Sequence, residues 1–137
     1  MELKPLIPTA EVCMFLYELL KQRPPEANIS HRNMPSYDDH CRFVHNYPYS
    51  AWYMLTHNAE LIGSVYLTTS DEIGVALIPS AQGKGYAKEA IEVLMAKHPR
   101  KRYLANVAPG NEASHKLFGK MGKVIQHTYA LESVSWR

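Results

Sequence analysis

Two periodicities alternate along the chain. Leu3 to Ile7 reads as a short strand that Pro8 ends. Thr9 then stands where a helix N-cap belongs, ahead of an apolar stripe of Val12, Phe15, Leu16, Leu19 and Leu20 at helical spacing. Pro24-Pro25 stops that helix, and residues 26–35 are polar and irregular. Ser36 with Asp39 makes a capping-box pattern that opens a second helix, with His40, Phe43, Val44 and Tyr47 on one face and Pro48 as its stop.

Three strands are expected next, at Ala51 to Thr56, Leu61 to Thr69 and Glu72 to Ile78. Their links, 57–60 and Ser70-Asp71, are short enough to predict an antiparallel meander. Pro79 closes the third strand, and a glycine-containing loop from Ser80 to Gly85 leads into a helix with the stripe Ala87, Ala90, Ile91, Leu94 and Met95. Beyond the turn at 98–101, Tyr103 to Val107 reads as a strand and Pro109-Gly110 as a break. A last helix from Asn111 to about Met121 buries Ala113, Leu117, Phe118 and Met121 and stops at Gly122; Val124 to Leu131 then reads as a closing strand. Strands and helices in this order predict an α/β layer fold.

Length and composition narrow the picture. A chain of 137 residues fits one domain spanning 1–137, and 46% hydrophobic with 20% charged residues suits a globule rather than a disordered chain. A net charge of +2 gives no case for nucleic acid, and the basic run Lys97, His98, Arg100, Lys101, Arg102 reads as a solvated turn. No apolar stretch approaches a membrane span and no secretory leader is seen, so the expected address is the cytoplasm. Cys13 and Cys41 form no CxxC pair and read as small apolar residues. The histidines make no HExxH run, so no metal is expected.

The chemistry concentrates between Ile73 and Ala87, where a strand, a proline and Gln82-Gly83-Lys84-Gly85-Tyr86-Ala87 precede a helix. A helix start offers amides without intrahelical partners and the positive end of a dipole, and glycines let backbone approach an anion. A Walker loop is excluded because Gly85 follows Lys84, and a dinucleotide fingerprint because Lys88 stands where its third glycine belongs. Gln82, Gly85 and Ala87 instead fill the Q/R-x-x-G-x-G/A pattern of the GNAT acetyltransferases. The stretch from Asn106 through Asn111 and Ser114 to Leu117-Phe118 resembles the segment that follows the splayed strand in that superfamily.

The resemblance implies a single-domain fold with a mixed, mostly antiparallel, splayed sheet flanked by about four helices. It implies acetyl-CoA as acetyl donor, no metal, and a primary amine as acceptor. The backbone of Gln82, Gly83, Lys84, Gly85, Tyr86 and Ala87 inherits the pyrophosphate. Leu77 and Ile78 inherit the pantetheine arm and an N–H donor to the thioester carbonyl. Asn106, Asn111, Ser114 and Phe118 complete the coenzyme side, Asn111 serving equally as an N-cap. Glu72 is the candidate base, or else an ordinary charged strand end. Phe118 departs from the family's usual tyrosine acid, leaving Ser114, Tyr129 or solvent to protonate the thiolate; Lys123 departs from an aromatic position.

By the same resemblance the acceptor wall falls within 28–53, which holds His31, Arg32, Tyr37, His40, His45, Tyr47, Tyr49, Trp52 and Tyr53. These aromatics suit an amino sugar, a small polar amine or a protein N-terminus, and equally suit core packing or a homodimer contact. Because Phe118 replaces tyrosine, a catalytically silent acetyl-CoA sensor stands as the alternative to an enzyme.

Overall fold

A computed structural model gives the fold and describes residues 1–23 and 34–133. In chain order it contains β1 (Glu2–Pro5), α1 (Ala10–Lys21), α2 (Tyr37–Asn46), β2 (Ala51–His57), β3 (Glu60–Leu67) and β4 (Ile73–Leu77), then a 3₁₀ turn at Pro79–Ala81, α3 (Tyr86–Lys97) and α4 (Glu112–Met121). The four strands form one antiparallel sheet in sequence order, so the expected meander is present with β1 added at its edge. The helix caps are those the sequence predicts. Thr9 Oγ1 accepts from the Val12 amide at 3.2 Å, Ser36 Oγ from Asp39 at 3.1 Å and Asn111 Oδ1 from Ser114 at 3.2 Å. Each such cap contributes about 1 kcal/mol.

Side-chain alternation divides the sheet between two apolar layers. Leu55, Val65, Leu67 and Ile73 pack with Ala90, Ile91 and Leu94 of α3. On the other face Trp52 and Met54 pack with Cys13, Leu16 and Leu19 of α1 and Val44 of α2. Burying each of the larger side chains fully is worth about 1.5–3 kcal/mol. Among the described residues, no helix is long and apolar enough to cross a membrane.

Three expectations are corrected. Tyr47 does not continue the α2 face: at φ 45° it caps the helix, and its hydroxyl accepts from the Trp52 amide at 3.0 Å. Tyr103–Val107 is not a full strand. Only Leu104 pairs, in parallel with Glu72, with Ile73 N–H donating to Leu104 O at 2.7 Å and Leu104 N–H to Asp71 O at 2.9 Å. The chain then leaves the β4 edge. Val124–Leu131 forms no strand either, and Val124, Ile125, Tyr129 and Leu131 are exposed. A strand is completed by a neighbour's hydrogen-bonding edge, and the segment expected to supply that edge is itself unpaired beyond Leu104. The expected stop at Pro24-Pro25 and the residues His31 and Arg32 lie outside the described residues.

Candidate active site

β4 has one partner over most of its length, and this makes it the spine of the site. Ile78 N–H donates to Ile62 O at 2.9 Å and Thr68 N–H to Glu72 O at 2.8 Å. Even-numbered residues therefore turn their backbone groups toward β3, and by antiparallel alternation Val75 and Leu77 turn theirs to the open edge. Of the pair that the sequence nominates for the pantetheine arm, only Leu77 offers an N–H to that edge; the Ile78 N–H is taken by β3. The Leu77 carbonyl accepts from Gln82 Nε2 at 3.1 Å, which ties the loop to the strand end.

The loop spends few of its own amides. Ala81 N–H returns to Ile78 O at 3.0 Å and Gln82 N–H to Pro79 O at 3.2 Å. From residue 83 to residue 88 the amides find no acceptor among the described residues, until Glu89 N–H reaches Gly85 O at 3.2 Å. Gly83 and Gly85 sit at φ 75° and 84°, a region that side-chain-bearing residues rarely enter. A Cβ at either would touch nothing within 4 Å, so it is conformation and not crowding that asks for glycine. The result is an exposed row of N–H donors at the positive end of α3, the geometry of an anion cradle. Lys84 and Lys88 are exposed beside it, Lys88 lying 3.9 Å from Glu92. The residues present thus fit a pyrophosphate.

At the opposite end of β4 the Glu72 carboxylate is held by both oxygens. Thr68 Oγ1 lies 3.4 Å from Oε1 and accepts the Glu72 amide at 3.0 Å, while Asn106 Nδ2 donates to Oε2. Asn106 thus contacts the candidate base, across the point where the chain parts from β4. Alternation sets Glu72 on the same face as Gly74, Ala76 and Ile78, toward α1 and α2.

α4 sits on the other face. Asn111 is its N-cap, and Ser114 is half-buried with its amide on that cap. Phe118 lines a cavity of about 300 Å³ with Ile73, Ile91, Tyr103, Leu104 and Lys123, and its own ring has no proton to donate. Tyr129, a nominated acid, is 81% exposed on the unpaired segment.

The aromatic wall is only partly as expected. Tyr37, His40, Phe43, Tyr49 and Trp52 form one connected cluster with Tyr17 and Tyr66. Tyr53 does not belong to it: an odd position in β2, it packs on the α3 side, its hydroxyl 2.7 Å from His98 Nε2. His45 is exposed, its Nδ1 2.9 Å from Cys41 O. His40 is buried, and that burial lowers its pKa below the ordinary 6.5 and keeps the ring neutral. Burial, with the Tyr66 hydroxyl beside it, raises the Tyr49 phenol.

Sequence reasoning passed over Tyr66, Thr68 and Gly74. A glycine inside a strand was the available signal, since it marks a close approach by something else. Here that is Tyr66, directly across the sheet in the register.

Solved structures share this fold. An acetyltransferase from Salmonella typhimurium, solved with its cofactor acetyl-CoA, aligns at TM-score 0.70 and 16% identity over 89% of this chain and 78% of its own. An acetyltransferase from Thermus thermophilus aligns at TM-score 0.66 and 19% identity over 88% and 84%. An aminoglycoside 6′-N-acetyltransferase from Acinetobacter haemolyticus aligns at TM-score 0.67 and 15% identity over the full length of both. No curated protein matches the chain in sequence. The profile of the acetyltransferase (GNAT) family matches residues 14–123, and the chain belongs to that family of acetyl-CoA-dependent acyltransferases.

Proposed function

We propose that residues 1–137 act as one catalytic domain that moves acetyl from acetyl-CoA to a primary amine by direct attack in a ternary complex. The acceptor class is a small molecule, an amino sugar or a protein N-terminus. One observation carries this reading: a single strand has unspent amides at one end, a clamped carboxylate at the other and an open hydrogen-bonding edge between them. Five residues of β4 span roughly 16 Å, enough for an extended arm to lie along the edge.

Acetyl-CoA supplies an activated acyl group on a thiolate whose conjugate acid has a pKa of about 8.5. The amides of 83–88 hold its phosphates, the Leu77 N–H pairs with the arm, and the Val75 N–H, on the same open edge and nearer Glu72, polarises the carbonyl oxygen. Asn111 and Ser114 border the arm from α4. An alkylammonium with a pKa of about 10 must lose a proton before it attacks; Glu72 takes it, directly or through one water. The N–C bond forms, the C–S bond breaks, and the thiolate is protonated by solvent or by Ser114. Phe118 can hold the arm by contact but cannot serve as the acid.

Calorimetry with acetyl-CoA, followed by thiol release on adding amines, tests this. Micromolar binding is expected for wild type and for Glu72→Gln, with turnover lowered by about 10²–10⁴-fold in the variant. A well-folded wild type that does not bind would sink the proposal. Binding without turnover of any amine would establish the silent-sensor reading that Phe118 keeps open. Full activity in Glu72→Gln would return Glu72 to a structural role.

A further inference from the structure

Tyr66 and Gly74 face each other across β3 and β4 on the side of the sheet that carries Glu72. A Cβ built on Gly74 would overlap the Tyr66 Cζ, its hydroxyl oxygen and Cε2. The phenol end therefore rests on the β4 backbone itself, in space that any other residue at 74 would fill. Tyr49 stacks on this ring face to face, with centroids 4.0 Å apart and planes 6° from parallel. Trp52, buried to 4% exposure, meets Tyr49 edge-on at 4.7 Å. Tyr66 is thus clamped between strand and aromatic stack and has no room to swing aside.

Its position matters because of what flanks it. Glu72 stands two residues, about 7 Å, along the same face. Gly74 and the ring over it lie between Glu72 and Val75, which turns its backbone to the open edge where the proposed donor lies. An amine that gives its proton to Glu72 and attacks at that edge arrives on this face, with its α-carbon against the Tyr66 phenol. We infer that Tyr66, fixed by Gly74 and Tyr49, is the specificity-determining residue of the acceptor site and selects unbranched primary amines, R–CH2–NH2, over α-branched ones. The inference rests on the acetyl-transfer reading above. A methyl group on the α-carbon meets a ring that cannot yield, and one such carbon in a rigid site discriminates by about 10–200-fold.

The test uses matched amine pairs: benzylamine with α-methylbenzylamine, n-butylamine with sec-butylamine, and glycinamide with alaninamide. For each pair the quantity measured is the ratio of kcat/KM, unbranched over branched. The folded fraction cancels in that ratio, so partial instability of a variant does not obscure it. Wild type is expected to favour the unbranched member, Tyr66→Phe to keep that preference, and Tyr66→Ala and Tyr66→Leu to reduce it at least about tenfold. Turnover with a ratio that moves less than about threefold in both truncations overturns the inference and leaves acetyl transfer standing. Absence of thiol release by wild type with every unbranched amine overturns the acetyl-transfer reading, and the inference with it.

Discussion

The two ends of the site are made of different material. On the proposed coenzyme side the groups are backbone: amides of 83–88, the Leu77 N–H and two glycines at positive φ. On the proposed acceptor side they are side chains: Tyr49, Trp52, Tyr66 and Glu72 with its Thr68 and Asn106 clamps. A backbone site asks only for a conformation and tolerates many sequences. A side-chain site is specific to the residues that build it. Under the proposed function the first kind holds the coenzyme and the second the acceptor.

The largest effect expected from breaking this contrast is at Gly85. Gly85→Glu puts a carboxylate into the cradle and a side chain at φ 84°, strained by about 1–2 kcal/mol, so acetyl-CoA affinity measured by calorimetry should fall more than about 100-fold. Gly74→Ala comes next and acts on the other side. Its Cβ must displace the Tyr66 ring from between strand and stack, costing about 1–3 kcal/mol in chemical denaturation while acetyl-CoA affinity stays near wild type. A variant that lost coenzyme binding as well would show that the two ends are not independent.

Thr68→Ala frees one oxygen of Glu72 and should lower kcat about tenfold with little change in coenzyme affinity. Lys84→Ala should be milder still, changing affinity by less than about threefold, because the cradle's donors are amides and the lysine is solvated. A loss comparable to that of Gly85→Glu would show that the coenzyme side depends on side-chain charge after all.

The same contrast explains what was legible in the sequence. Caps at Thr9, Ser36 and Asn111, the meander and the glycine loop are local: each depends on residues within a few positions, and each is present. Tyr53 and Trp52 share the 28–53 segment assigned to the acceptor wall, yet one step along a strand changes face, and Tyr53 packs with α3. Tyr66 and Gly74 meet only through the register of β3 on β4, which no short window contains. The segment 124–131 carries strand-like composition, but composition states what a strand would bury, not whether a partner edge reaches it. The glycine loop with its positive-φ turns was therefore readable locally, whereas the Tyr66–Gly74 contact needed the fold.

The smallest expected effect concerns pH, and it probes the packing behind the acceptor wall. His40 is 9% exposed, its Nε2 finds no partner among the described residues, and its ring lies 5.5 Å from Tyr17 and 6.4 Å from Phe43. Burial lowers its pKa from 6.5, so in the window below 6.5 the unfolded chain binds a proton that the folded one resists. Stability from this residue is accordingly complete above 6.5 and is lost as pH falls through the depressed folded value. His40→Leu keeps an apolar side chain there and removes the titration. Thermal melting at pH 7.5 and 5.5 should show a smaller acid-induced drop in Tm for the variant than for wild type. Equal drops would mean that the ring accepts its proton in place, and that the wall behind Tyr49 and Trp52 is wetter than its packing indicates.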